Sequence, residues 1–239
     1  MVAAAEMRAG ARGEWTFFAT MSLVVAGVIA AGFGPSYVRS SAGSGLPWWV
    51  HLHGAVMTAW IALFAVQAAL VRRRALPIHR ALGIASVALV AAMVPLGIAT
   101  NLLAIRRGAT PPFFTPAEMF AADTIDLLLF AGLFAWALVL RHRREWHKRL
   151  LLCATVLLAW PAIGRLPPVR WGGIELVIPI SSALLIGLAL VGPLHDLLTR
   201  RRVHPAYLWG VGLIVLAQPL HALVARSDLA TRVVERVSA

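Results

Sequence analysis

The sequence predicts an all-α, polytopic transmembrane bundle of about seven membrane-spanning helices, and three observations carry that prediction. Hydrophobic residues make up 60% of the 239 and charged residues only 13%, about half the charged share usual in a soluble domain. The apolar residues fall in long runs, and a helix needs roughly 20 of them to cross a bilayer. The basic residues behind the net charge of +12 lie in short clusters between those runs.

Seven runs qualify: 15–36, 48–71, 80–105, 117–140, 148–166, 173–198 and 205–225. They form one domain over residues 1–226, followed by a short tail, 227–239, mildly amphipathic and able to lie on a membrane surface. The first run exceeds the roughly 7–15 apolar residues of a signal peptide, so it reads as a retained helix although Arg8 and Arg12 precede it. The second opens beside Trp48 and Trp49, and the third follows Arg72-Arg73-Arg74. The fourth has a clear start: Thr115-Pro116-Ala117-Glu118 is a capping box with proline at the first helical position. The fifth is the weakest, since Pro161 interrupts it, Arg165 sits near its end and Pro167-Pro168 stop it. Trp15, Trp48, Trp49, Trp146 and Trp171 all fall near span boundaries, where interfacial aromatics concentrate.

Orientation follows from the basic residues. With the N-terminus inside, the cytoplasmic segments hold fourteen of the 22 Lys and Arg residues and the opposite side eight. The expected arrangement is therefore N-terminus cytoplasmic and C-terminus outside.

The scattered clusters form no basic face interleaved with aromatics, which excludes nucleic-acid binding. A single cysteine, Cys153, excludes an intrachain disulfide and any multi-cysteine metal site. The only lysine, Lys148, lies at the cytoplasmic end of the fifth span, which argues against a retinal protein. No nucleophile elbow, Walker sequence or dinucleotide motif is present, so no catalytic residue is indicated.

Ionisable groups inside hydrocarbon are expensive, so each is a candidate site. In the outer half lie His51, His53, Asn101, Asp123, Asp126, Arg165, Glu175, Gln218 and His221. His51 and His53 point about 200° apart on a helix. His53 shares an inward stripe with Met57, Trp60, Phe64 and Gln67, while His51 stays near the interface. Asp126 sits about 10 Å inside the hydrocarbon edge at 1.5 Å per residue, where it needs a partner; Arg165 and His53 are the expected ones. The inner half holds His79, His142, His147, His195, Asp196 and His204. These are expected to be interfacial, with Asp196 beside Arg200 as an ordinary surface salt bridge. His79-Arg80-Ala81-Leu82 and His147-Lys148-Arg149-Leu150 open the third and fifth spans in similar words, a faint internal echo.

Several chemistries suit these groups. Two histidines from different helices at matching depth can ligate the iron of a b-type haem in an electron-transfer role. His53 with His221 is the first choice, Asp126 and Arg165 lying beside the macrocycle or facing its propionates; His79 with His147 is the second. His53, Asp126 and His221 are also plausible ligands for zinc or another divalent ion. Proton-coupled solute passage along the Asp, His and Gln residues is a third reading, with Pro95, Pro161, Pro179 and Pro219 breaking the helices. Against all of these stands a bundle glued by polar side chains, each worth about 0.6 kcal/mol, serving as a scaffold or accessory subunit of a membrane complex. Trp60, Met57 and Met93 read as core rather than as cofactor contacts.

A set of strings resembles a widespread family of uncharacterised bacterial seven-pass inner-membrane proteins. They are His51-Leu52-His53-Gly54 with Trp60 and Gln67, His79-Arg80-Ala81-Leu82-Gly83, His147-Lys148-Arg149-Leu150, and Arg202-Val203-His204-Pro205-Ala206-Tyr207-Leu208-Trp209-Gly210 followed by Gln218-Pro219-Leu220. The resemblance covers the second to seventh spans and implies a bacterial inner (cytoplasmic) membrane location but no activity; the expected partners, from the readings above, are the lipid bilayer and either subunits of a membrane complex or a redox partner. The His-Arg-x-Leu-Gly opening is also similar, more loosely, to haem A synthases and transmembrane b-type cytochromes, from which the histidine spacing departs.

Overall fold

Long apolar runs must form helices in hydrocarbon, because no water is present to satisfy backbone polar groups. The computed structural model bears this out. It describes residues 2–42, 45–166 and 173–239, with side chains in the first segment described over 13–39. Pro167-Pro168 and Trp171, and the side chains of Arg8 and Arg12, lie outside the described residues.

The described elements are α1 (Val2–Ala42), α2 (Trp48–Arg72), α3 (Leu76–Arg106), α4 (Pro116–Val139), α5 (Arg144–Leu157) and α6 (Trp160–Ile163). A single 3-10 turn (Ile174–Leu176) then leads into α7 (Val177–Arg200), α8 (Pro205–Ala225) and α9 (Asp228–Ser238). Among the described residues no strand is present. Six helical stretches are long and apolar enough to cross a membrane: Gly13–Arg39, Trp48–Arg72, Leu76–Arg106, Pro116–Val139, Ile174–Arg200 and Pro205–Ala225. They match six of the seven expected spans to within a few residues.

The exception is the fifth. Residues 148–166 do not form one long helix; α5 ends at Leu157, a turn covers Leu158 and Ala159, and α6 adds four residues. Pro161 cannot donate to the ladder, so the break falls just before it. Position in the bundle explains why a broken segment is tolerated. Helices α1, α2, α3, α4, α8 and α7 pack on one another in that order, α6 closes the ring by touching both α7 and α1, and α5 lies against α4, α8, α7 and α1. Nearly every α5 side chain from Arg149 to Leu157 is buried. Shielded from lipid, this segment has no need of a continuous ladder or a wholly apolar sequence.

Local chemistry sets the element boundaries. The α4 capping box forms as expected: the Thr115 amide donates to Glu118 Oε2 (2.8 Å) and the Glu118 amide to Thr115 Oγ1 (3.2 Å). Gly108, at φ +65°, supplies the left-handed residue after α3 that a Cβ would strain. The α2 stripe turns inward, with Trp60 edge-on to Phe130 and Phe134 of α4 at ring centroid distances of 4.9 and 5.6 Å. Trp60 and Met93 are buried in the core, as expected of packing residues.

Close helix contacts depend on glycine. A Cβ at Gly32 of α1 would fall 2.7 Å from the Ala162 carbonyl carbon, well inside van der Waals contact, whereas one at Gly27 meets nothing within 4 Å. Gly32→Val is therefore expected to cost about 1–3 kcal/mol through overpacking, with Gly27→Val within about 0.5 kcal/mol of wild type. Thermal unfolding in detergent checks this; equal losses in the two variants would mean that the α1–α6 contact is not tight.

Candidate functional site

Two polar layers lie at opposite ends of the bundle. The layer at the N-terminal end of α4 is built on Asp126, whose carboxylate Oδ1 lies 2.9 Å from Nε2 of His221 on α8. The expected partners of Asp126 were Arg165 and His53; the partner is His221, because α4 and α8 pack side by side along their length. One turn toward the membrane surface, Asp123 accepts from Asn101 Nδ2 of α3 at 2.6 Å, and the same amide reaches the Met119 carbonyl at 3.2 Å. Arg165 donates to the Pro161 carbonyl (2.6 Å) and lies over the Phe33 ring, 4.7 Å from its centroid, close enough for Asp123 to feel its charge.

His221 also lines a small cavity of about 80 Å³ between α4, α6, α7 and α8. Glu118 and Gln218 add polar groups; Phe114, Trp160 and Ile178 form apolar walls. The Trp160 indole donates to Ser182 Oγ at 3.2 Å, which holds that wall in place.

His53 lies apart from the couple. Met57 and Leu127 both reach Gly97, so one turn further out the helical register puts His53 level with Asn101 and Asp123. Its buried Nδ1, like Asn101 Oδ1, has no hydrogen-bond partner among the described residues. Among those residues no group of three or more His, Cys, Asp or Glu side chains is gathered as a metal-binding set. His51, as expected, stays at the surface, where its Nδ1 lies 2.5 Å from the Tyr37 hydroxyl.

At the other end of the bundle is a network that sequence reasoning missed. Arg149 of α5 is 0% exposed and Asp196 of α7 is 1% exposed. The guanidinium grips the carboxylate with two bonds, Nε to Oδ2 at 2.9 Å and Nη2 to Oδ1 at 2.6 Å. Its Nη1 donates to Glu145 Oε2 (2.8 Å), and its plane lies over the Tyr207 ring of α8, 5.3 Å from the centroid. Lys148 bridges Glu14 of α1 and Glu145, at 2.6 Å to each. Arg200 pairs with Glu14 and with Glu145 (2.7 Å). Three acids thus meet three bases, neutral overall. The expected pair of Asp196 with Arg200 is present at 3.9 Å, but Asp196 is not at the surface: it is buried, and its closer partner is Arg149 at 2.6 Å. Burial alone would raise the Glu145 carboxyl; the bond and charge of Lys148, and the charge of Arg149, outweigh it and hold the pKa at about 2.

The inner histidines sort around this network. His195 stacks on Phe17 at 3.8 Å between centroids, and the His204 ring caps its own helix, accepting from the Ala206 amide at 3.1 Å. His147 Nδ1 bonds the Ala137 carbonyl at 2.8 Å, and His79, its Nδ1 buried without a partner among the described residues, lies within electrostatic reach of His147.

Fold and site together define a polytopic α-helical membrane protein with an Asp–His couple at one end and a neutral six-charge network at the other. No family model, curated protein or solved structure matches the chain.

Removing one member of a buried ion pair strands the other charge, which costs about 3–5 kcal/mol, whereas an apolar replacement of both is far milder. Arg149→Met is expected to destabilise by that amount, and Arg149→Met with Asp196→Leu to recover most of the loss. Unfolding of both variants in detergent tests this; a double variant as unstable as the single one would mean that Asp196 is not what makes Arg149 tolerable.

Proposed function

We propose that this chain is a seven-pass bacterial inner-membrane protein, N-terminus in the cytoplasm and C-terminus outside, that couples proton binding at Asp126 and His221 to occupancy of the outer cavity by a small polar solute. The arginine asymmetry and the resemblance to bacterial seven-pass proteins support the location and orientation. Support for a seventh crossing comes from α5 and α6, which touch α1 at Glu14 and again at Gly32, about 27 Å apart along α1 at 1.5 Å per residue.

The Asp126–His221 contact carries the reading. With Asp126 ionised and His221 neutral the couple has a net charge of −1; one added proton makes it neutral, the cheaper state in hydrocarbon. Because His221 also faces the cavity, a solute that bonds to its ring or to Gln218 changes the cost of that proton. A cavity at the outer end and a closed charge network at the inner end suit a protein whose solute enters from outside.

Protons alone provide the test. Proteoliposomes holding the wild-type chain, an internal pH dye and an imposed inside-negative potential are expected to take up protons faster than empty vesicles. Asp126→Asn, which keeps the hydrogen bond but cannot titrate, is expected to lose that excess. Wild-type uptake equal to that of empty vesicles, or undiminished uptake in Asp126→Asn, overturns the reading.

Ligation of b-type haem is a second reading, and one observation favours it at the inner histidines. The Ala137 carbonyl holds the Nδ1–H of His147, which leaves Nε2 free as a ligand in the manner of many metal-bound histidines, and His79 lies nearby. His53 and His221 suit axial ligation less well, because His221 Nε2 is already bonded to Asp126. Bound haem would supply one-electron transfer. An absorption spectrum after haem-replete expression is expected to carry a Soret band that His79→Ala and His147→Ala diminish; a chain without such a band removes this reading.

A further inference from the structure

Helix α9 leaves the bundle at Ser227, whose hydroxyl accepts from the Ala230 amide at 3.3 Å. Ala230 is fully buried, Val233, Val234 and Val237 are half-buried, and Thr231, Arg232, Glu235 and Arg236 stand in the open. The helix packs on the outer ends of α3, α4 and α8. An amphipathic helix so placed lies along the membrane surface.

Between the last turns of α9 and α3 runs a groove of about 340 Å³, lined by Leu102, Leu103, Arg106, Arg236, Val237 and Ala239. Its chemistry is divided. Arg106 and Arg236 supply two guanidiniums, both exposed and neither engaged in a hydrogen bond or ion pair among the described residues. Leu102 and Leu103 belong to α3, a membrane-spanning helix, so the apolar wall continues directly into hydrocarbon. Arg107 and Arg232 add positive charge nearby in the sequence, against Glu235 alone among the acidic side chains of the last α9 turns.

We propose that this groove holds an anionic phospholipid of the surrounding leaflet. Its phosphate sits between Arg106 and Arg236, and its first acyl carbons lie along Leu102, Leu103 and Val237. Guanidinium groups match phosphate in shape and charge, accepting it through paired N–H bonds. The apolar wall distinguishes a lipid from free phosphate, which has no use for it. The surplus of arginine favours an anionic headgroup over a zwitterionic one, whose cation would face Arg107 and Arg232.

Native mass spectrometry of the full chain in detergent provides the test, with phosphatidylglycerol, phosphatidylcholine or inorganic phosphate added separately. Wild-type protein is expected to retain one phosphatidylglycerol in preference to phosphatidylcholine. Arg106→Gln with Arg236→Gln is expected to weaken that retention at least about tenfold. Both side chains are exposed, so this variant should unfold at the wild-type temperature in lipid-free detergent. Arg202→Gln, at the opposite end of the bundle, is expected to bind lipid as wild type does, and so is Asp126→Asn, which separates this site from the proton couple. Equal retention of the two lipids, unchanged retention in the double variant, or displacement of the lipid by inorganic phosphate would each overturn the proposal.

Discussion

A guanidinium with no exposed surface can sit inside one end of a membrane-type bundle only if the protein itself replaces water around it. Arg149 imposes that requirement, and much of the architecture answers it. Asp196 takes two of its N–H groups, Glu145 takes a third, and the Tyr207 ring covers its plane. These groups come from α5, α7 and α8, while Lys148 and Arg200 extend the network to Glu14 of α1. Each partner carries a charge that would be costly alone, so the four helices must meet at one depth for any of them to be tolerated. Gly192 makes room for this, since a Cβ there would fall 2.5 Å from the Tyr207 ring.

The two polar layers differ in kind. The inner one is neutral, its three acids and three bases all paired across several helices, although beside them the Tyr207 hydroxyl and His79 Nδ1 are buried without a partner among the described residues. The outer one is sparse: one Asp–His couple, one Asp–Asn bond, one arginine bonded to a backbone carbonyl, and buried polar atoms on His53 and Asn101 with no partner among the described residues. A satisfied network resists change, because every proton or charge removed strands another. A couple whose charge depends on a single proton, beside a cavity, does not. The proton-dependent couple therefore lies at the sparse end and the fully paired charges at the dense one.

What the sequence disclosed follows from the same physics. Six spans were legible nearly to the residue because a lipid-facing helix has to be long and apolar. The α4 start was legible because Thr115 and Glu118 cap it through local bonds. Asp126 was legible as a group in need of a partner, and His221 as its companion at matching depth; their direct bond was not, since the two are separated by α5, α6 and α7 in the chain and meet only through packing. The inner network was hidden for a related reason. Asp196 and Arg200 are neighbours on one helix, so they invite pairing with each other; the stronger partner of Asp196 comes from a segment that looked merely like a poor span. Its signal was present in Glu145-x-x-Lys148-Arg149, acid and bases at helical i, i+3 and i+4 spacing, just where the apolar run was weakest.

That poor span also accounts for the outer cavity. Over α5 the chain packs against α4 and α8, but after the turn at Leu158 and Ala159 the principal neighbours of α6 are α1 and α7. The segment swerves because Pro161 ends the ladder and Gly32 offers a place where backbone can lie against backbone. Beyond the swerve Phe114 stacks on Trp160, and a cavity of about 80 Å³ is left between α6, α7 and the α4–α8 pair. The remaining space is bounded by Trp160 and Ile178 on one side and by Ala122 and His221 on the other. The proline that made this span doubtful as a membrane crossing thus stands beside the turn that brings Trp160 of α6 and His221 of α8 to the wall of one cavity.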